Sequence, residues 1–383
     1  METENSVAWR KGLVFVLLMW LISRLVAIAA IQLIAPSLSL SPVDPPKYLG
    51  ISDFVPTTSW ELFSHWDGLW YKQIVTEGYT YAPDSTYQYP VAFFPLYPLL
   101  VRSLMFLGLR YEAAGILVNN FAFLGALFLL YQWATERYGT LTAKWSTAVM
   151  AWCPFALFCT VTYTEGLFLL CTTGALYAFE RRRYAWAGFW GMLSTATRVP
   201  GGVLLPTFFF VAWREKRKWM AYAAGLAVVL GLLFYMLYCA LAFGEPLAFL
   251  KIQASWPKLG WGLGSPGKLG VLGQILNFRT DPGSSVASVI KGVMVLGGAY
   301  LLWFMRRELT PTVTAYGFFS IALILFSGTT NSVHRYAYGI VSLSLALGIL
   351  LARHPRWGYG VMGIFWLGLV MFSLRFAWWQ WVA

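Results

Sequence analysis

Residues 91–109 read VAFFPLYPLLVRSLMFLGL, and whether they cross a membrane decides how everything after them is arranged. Hydropathy alone makes them a span. Pro95, Pro98 and Arg102 argue against it, because each proline removes a helix hydrogen-bond donor that lipid cannot replace. The surrounding charges argue the same way. Arg10-Lys11, Arg137 with Lys144, Arg181-Arg182-Arg183, Arg214 to Lys218, Arg306-Arg307, and Arg353 with Arg356 fall between apolar blocks, and short basic loops belong on the cytoplasmic side. If 91–109 crossed, either the first helix would run the wrong way or every later cluster would land outside. The segment is therefore expected to lie in or dip into the interface, within an outer loop running from 36 to 112. That loop holds seven Asp or Glu against four Lys or Arg, a mild support because acids count little in the rule.

Outward from this loop the chain is apolar blocks with basic punctuation. Of 383 residues 58% are hydrophobic and 11% charged, whereas soluble domains carry about 25% charged residues. The mean hydropathy is +0.61, and Trp and Tyr (20 and 21) are abundant, as suits headgroup-level residues. The expectation is an all-α integral membrane protein of about 11 transmembrane helices, at 13–34, 113–135, 145–162, 165–180, 185–198, 202–213, 220–243, 284–305, 311–328, 336–352 and 357–380. Its N-terminus is cytoplasmic and its first helix retained. A first module, 1–215, contains the outer loop, and a second bundle, 216–383, contains a glycine-rich outer loop at 244–283 with Lys251, Lys258 and Lys268. The net charge of +12 does not imply nucleic acid, since most of it sits in the inner loops. Cys153, Cys159, Cys171 and Cys239 lie inside apolar segments and read as buried thiols.

Two outer turns stand out. Between Arg183 and Arg214 the chain must cross an even number of times in about 30 residues, and helices of 14 and 12 residues rise only roughly 20 Å each against a 30 Å core. The turn Arg198-Val199-Pro200-Gly201-Gly202 is therefore expected below the outer surface. Thr162-Tyr163-Thr164-Glu165-Gly166 lies on the same side. Irregular, charged backbone at membrane depth is tolerated where it is buried in protein or lines a watery cavity, which marks a site.

The densest polar and aromatic stretch is Ser64-His65-Trp66-Asp67-Gly68-Leu69-Trp70-Tyr71, followed by Glu77-Gly78-Tyr79. Asp67 beside Trp and His suits a general base on an aromatic platform for a sugar face. It equally suits a cap on the short helix that follows, and the residues alone leave both open. Glu165 and Arg198 mark a ligand path or a proton path, or pair with one another. Arg335-Tyr336 either clamps a phosphate or anchors a helix end. Arg24, in the middle of the first span, is either a phosphate ligand or a structural partner. No P-loop, dinucleotide turn, zinc spacing or serine elbow is present, and no inner loop is long enough to hold a nucleotide-sugar site. Chemistry therefore needs a substrate activated on the outer side, and a lipid-phosphate-linked donor meets that need.

The blocks His65-Trp66-Asp67-Gly68 with Tyr71 and Glu77-Gly78-Tyr79, then Phe93 to Leu99, Asn119-Asn120, Tyr163 to Phe168, Ala196 to Gly201 and His334-Arg335-Tyr336 resemble the PIG-V family, the GPI mannosyltransferase 2 group with its prokaryotic relatives. The resemblance covers most of the chain from about 13 to 340. It implies a GT-C-type bundle and an inverting transfer on the extracytoplasmic face. The implied donor is a polyprenyl-phosphate sugar, most typically of mannose, and the acceptor a lipid or glycan hydroxyl. The implied base is Asp67; the candidate substrate contacts, read from the residues themselves, are His65, Trp66, Trp70, Tyr71, Glu77, Glu165, Arg198, Arg335, Tyr336 and Arg24. His65 departs from the Arg or Asn more usual before the Trp-Asp pair. No cofactor is implied, and no paired-Asp motif calls for a divalent metal. The short chain and minimal loops fit a prokaryotic member, which leaves GPI unassigned as acceptor.

The competing class is a lipid or solute transporter, which often shows paired broken helices in corresponding halves; here the broken elements crowd into the first 215 residues. A third class, a non-catalytic scaffold, predicts that Asp67 is dispensable. The topology is tested directly. Cysteines introduced at Ser85 and Ser265 are expected to react with an impermeant thiol reagent outside intact cells, and one at Thr140 is not. Outside labelling of the Thr140 position would reject both the orientation and the interfacial placement of 91–109.

Overall fold

The apolar run after Arg10 forms the first helix, α1 (Glu2–Ala29), which continues through a π-turn at Ala30–Ile34 to Ser37. This is a computed structural model, and it describes residues 2–44, 52–83, 88–252, 290–326 and 332–382. Lys258, Lys268, Ser85, Ser265 and Asn331 lie outside the described residues. Among those described the fold is helical throughout, with a lone antiparallel bridge between Val43 and Phe54.

Four described helices are long and apolar enough to cross a bilayer: Arg10–Ser37, Tyr111–Tyr138, Trp219–Phe243 and Pro355–Ala377. The remaining expected spans form shorter helices. In chain order the elements are α2 (Asp67–Glu77), α3 (Leu96–Phe106), α4 (Tyr111–Tyr138), α5 (Thr140–Trp152), α6 (Glu165–Glu180), α7 (Tyr184–Thr197) and α8 (Leu204–Arg214). They continue with α9 (Trp219–Phe243), α10 (Ile290–Met305), α11 (Pro311–Phe326), α12 (Val333–Tyr338), α13 (Val341–Arg353) and α14 (Pro355–Ala377).

Three expected spans are interrupted, 220–243 at Val229 and the other two within 145–162 and 336–352. The stretch 145–162 ends as α-helix at Trp152 and becomes a 3₁₀ turn at Pro154–Cys159, because Pro154 has no N–H to give and disfavours helix in the residue before it. The stretch 336–352 divides at Gly339 and Ile340 into α12 and α13. Residues 91–109 hold a 3₁₀ turn, Pro90–Ala92, and then α3 with 11 residues. Eleven residues rise roughly 16 Å, about half of a hydrocarbon core.

The chain divides into two units, each drawn from separated stretches. The first comprises Met1–Lys72, Leu100–Leu170 and Leu347–Val382, and the second comprises Gln73–Leu99 and Cys171–Ala346.

In the first unit the break after Trp152 interrupts the α-helical ladder, and carbonyls from Ala151 to Val161 turn to side-chain donors. Three buried side chains take them up. Arg24 donates to the carbonyls of Ala156 at 2.6 Å and Ala151 at 3.1 Å, and to Thr160 Oγ1 at 2.8 Å. Its guanidinium also lies 4.8 Å from the Phe123 ring centroid. Asn119 donates to the carbonyls of Phe158 and Val161, each at 2.7 Å, while its own oxygen accepts the Gly166 N–H at 2.8 Å. Asn120 donates to Thr160 O at 3.1 Å. Gly166 must be glycine here, since a Cβ would stand 2.3 Å from the Asn119 carbonyl oxygen.

In the second unit α7 and α8 have 14 and 11 residues, joined by a 3₁₀ turn at Val199–Val203. α9 is interrupted at Val229, where Thr195 Oγ1 donates to the Val228 carbonyl at 2.5 Å; a side chain entering the ladder is a recognised cause of such breaks. The Phe93-Phe94 block is tied down by Tyr235, whose hydroxyl lies 2.8 Å from Val91 O and 3.1 Å from Phe93 O, and by Tyr79, which donates to Phe93 O at 3.0 Å.

Candidate active site

α2 begins where an irregular stretch meets the broken segment after α5. A 3₁₀ turn at Trp60–Phe63 delivers the chain to Ser64 and His65. The Phe63 carbonyl then accepts both the backbone N–H and Oγ1 of Thr162, each at 3.0 Å. Trp66 turns the chain with a φ of 54°, and Asp67 is the first residue of the helix. The Asp67 N–H donates to the Tyr163 hydroxyl at 3.2 Å, and the Tyr111 hydroxyl donates to the Gly68 carbonyl at 2.6 Å. Gly68 lies so close to this turn that a Cβ would stand 2.5 Å from Thr162 Oγ1. One turn further along α2, Lys72 Nζ meets the buried Glu112 carboxylate at 2.8 Å, with Arg110 Nε at 3.7 Å from its other oxygen.

Asp67 is half-buried in the first turn of α2, where the helix dipole favours a carboxylate. The base and cap readings of the sequence thus share one position. Trp66, Trp70 and Tyr71 surround it in sequence, the tyrosine buried and the tryptophans half-buried. Glu77 is exposed at the far end of α2. Glu165 opens α6 in the first unit at 2% exposure.

His65 is 3% exposed. It stacks on Trp379 at 3.9 Å and on Phe376 at 5.3 Å, with Phe54 edge-on at 5.9 Å. Its Nδ1 is 2.9 Å from the Phe376 carbonyl. A carbonyl only accepts, so Nδ1 carries the proton. Burial pushes the imidazole pKa down from 6.5 to about 4, against the smaller upward pull of that hydrogen bond. His65 is therefore neutral at physiological pH. Sequence places it among the substrate contacts, and the structure sets it inside an aromatic packing cluster. Arg24 likewise has the surroundings of a structural partner, with donors on Ala151, Ala156 and Thr160.

A second group forms in the second unit. Arg198 follows α7 in extended conformation and lies 5.0 Å from the Tyr336 ring centroid. Arg335, 7% exposed, lies 5.7 Å from the same ring. Both distances are within cation–π range, so Tyr336 gathers two guanidinium groups that are 137 residues apart in sequence (335 − 198).

Sequence reasoning misses Tyr111, Glu112 and Lys72, which hold α2 in place, and the aromatic residues at the C-terminus. A signal for Glu112 exists: a carboxylate at the head of an apolar span needs a cation. Among the described residues no three His, Cys, Asp or Glu side chains converge on a point.

Residues 10–247 match the family described as Mannosyltransferase (PIG-V). The chain belongs to that family. A comparison with curated protein sequences finds no match. Among solved structures, ArnT from Cupriavidus metallidurans bound to undecaprenyl phosphate superposes with a TM-score of 0.56 at 15% identity, over 91% of this chain and 62% of that one. The same protein in the apo state gives 0.50 at 13% identity, over 94% and 63%. The apo Archaeoglobus fulgidus oligosaccharyltransferase gives 0.49 at 14%, over 95% and 55%. The likeness to ArnT is one of fold, and this PIG-V-type chain spans about 62% of that protein's length. Family membership thus comes with a helical fold like that of ArnT and four described helices long and apolar enough to cross a bilayer. Arg335 and Tyr336 lie outside the stretch that the family match covers.

The buried neutral imidazole makes stability depend on pH in a definite direction. Above about pH 6.5 His65 is neutral folded or unfolded and contributes no slope. Below it the unfolded chain protonates first, so stability falls by at most about 1.4 kcal/mol per pH unit down to about pH 4, roughly 3 kcal/mol in all. Melting in detergent from pH 7.5 to 4 should show this slope in the natural protein and a shallower one in His65→Phe. Parallel curves would reject the buried neutral state.

Proposed function

We propose that the enzyme transfers mannose from a polyprenyl-phosphate donor to an acceptor hydroxyl on the extracytoplasmic face, with inversion, and that Asp67 is the general base. The observation that carries this reading is the position of Asp67. It opens α2 in a motif docked on the Thr162-Tyr163 turn, inside the stretch that matches a mannosyltransferase family. A carboxylate there is partly open to solvent, with aromatic neighbours suited to a sugar face. The undecaprenyl phosphate bound to ArnT supports a polyprenyl-phosphate donor.

The chemistry asks little of the protein. As the acceptor oxygen bonds to the anomeric carbon, its proton passes to the Asp67 carboxylate. The bond from that carbon to the phosphate oxygen breaks, and polyprenyl phosphate leaves with the electron pair. The donor is a phosphodiester with one negative charge, and the departing monoester gains a second. Cations that meet this phosphate are thus worth more in the transition state than in the ground state. Arg198 and Arg335, gathered on Tyr336, are proposed for that role, with Glu165, Trp66, Trp70 and Tyr71 as further substrate contacts.

The same reading includes about eleven spans, a cytoplasmic N-terminus, and an active side formed by outer loop 36–112. The catalytic-type module is 1–215, and 216–383 is a following bundle. The short α3 and the exposed Phe106 and Leu107 at its end, 91% and 75% accessible, support a segment that lies along the interface instead of crossing.

Asp67→Asn keeps shape and much of the hydrogen bonding but cannot take a proton. In proteoliposomes supplied with polyprenyl-phosphate mannose, turnover should fall by about 10²–10⁴-fold while insertion and donor binding persist. Normal turnover in the folded variant would remove the role and bring Glu77 and Glu165 forward.

Arg198→Lys and Arg335→Lys should each weaken binding of polyprenyl phosphate by roughly tenfold, the size of one lost charge-assisted hydrogen bond of about 1.5 kcal/mol. Unchanged affinity with reduced thermal stability would assign these arginines to structure.

A further inference from the structure

The last residues of the chain, Phe376 to Trp381, lie beyond both the family match and the motifs legible in sequence. α14 ends at Ala377. The Phe376 carbonyl accepts the Trp379 N–H at 3.1 Å and the His65 Nδ1–H at 2.9 Å. The Trp378 indole donates to the Ala35 carbonyl at 3.2 Å, which pins the tail to the end of the first helix. Trp379, with a φ of 52°, then lays its ring flat on His65, centroids 3.9 Å apart and planes at 19°. Trp379 and Trp381 meet Trp66 at 5.4 and 4.9 Å, both nearly edge-on.

Trp66 is itself in the left-handed region, with a φ of 54°. A bulky residue pays to be there and persists only where its surroundings over-determine it. Those surroundings are this tail, whose Phe376 is 311 residues away in sequence from His65. α2, by contrast, is docked independently through Tyr111, Tyr163 and the Lys72–Glu112 pair. Removing the Trp379 ring therefore takes one packing partner from each of the two residues ahead of Asp67 and leaves the contacts that dock the helix in place.

We propose that Trp379, assisted by Trp381, is a positioning residue for glycosyl transfer: by clamping His65 and Trp66 it fixes how the chain enters α2 and so which side-chain orientations are open to the Asp67 carboxylate, while Tyr163 and Tyr111 hold the backbone of that first turn. The proposal rests on the reading of Asp67 as base.

The test uses the full chain in proteoliposomes, with polyprenyl-phosphate mannose as donor and total lipid of the same membranes as acceptor. Three quantities are read: polyprenyl phosphate released per unit time, affinity for polyprenyl phosphate alone, and amide hydrogen exchange over residues 64–70. Trp379→Ala should lower turnover by about 10²-fold, the cost of a misplacement near 1 Å. It should leave the affinity within about twofold and speed exchange at 64–70 by about tenfold or more. Trp379→Phe keeps a flat ring on the imidazole and should recover turnover and exchange to within about threefold. If Trp379→Ala fails to fold, Trp381→Ala should show the same pattern at smaller size. Unchanged exchange in the folded Ala variant overturns the clamp whatever Asp67→Asn does, and faster exchange with full turnover overturns the positioning role. Normal turnover of Asp67→Asn, run alongside, overturns the base assignment separately, whatever the exchange shows.

Discussion

A peptide group inside a membrane protein has no water to fall back on, and the site depends on how this chain meets that constraint at 153–166. Pro154 ends α5 and leaves an irregular segment whose carbonyls need donors. Arg24, Asn119 and Asn120 supply them from two helices. An unpaired buried carbonyl costs roughly 1–3 kcal/mol, and these three side chains answer five. Because side chains supplement the segment's own short-range backbone bonds, it can leave α-helical geometry and set the buried Thr162 and Tyr163 against the start of α2. Those two residues receive the Phe63 carbonyl and the Asp67 N–H. The chain of dependence runs from one proline, through three polar residues, to the first turn of α2.

This explains which parts of the molecule are legible in sequence. Long apolar runs with basic ends announce α1, α4, α9 and α14, because a span declares itself by length and composition. Pro95 and Pro98 announce that 91–109 is not an ordinary helix, and α3 is indeed only 11 residues long. Pro154 carries the same signal within 145–162, but a single proline in a span is often tolerated, so it does not by itself mark a break. Asp67, Arg198 and Arg335 stand out because charge among apolar residues is expensive wherever it occurs.

What stays hidden depends on contacts that sequence spacing does not encode. Arg24 offers two roles, ligand or partner, and only the position of the carbonyls 127 to 136 residues later distinguishes them. His65 looks like a ligand contact because it precedes Trp-Asp. Its stacking on Trp379 and its bond to Phe376 make it part of the scaffold. The terminal Trp-Trp-Gln-Trp run carries no motif to mark it, since tryptophan at a span's end normally belongs to an interfacial belt. Here that run folds back on the motif instead.

The family match and the geometry thus support the function by independent routes. Residues 10–247 place the chain among PIG-V-type mannosyltransferases, yet Arg335, Tyr336 and Trp379 all fall beyond that boundary. The matched part holds the carboxylate and the polar clamp that positions it. The rest contributes the ring on which Arg198 and Arg335 converge, and the aromatic tail that packs on His65 and Trp66. Each guanidinium is attracted by the negative face of that ring, at about 0.5–2 kcal/mol apiece.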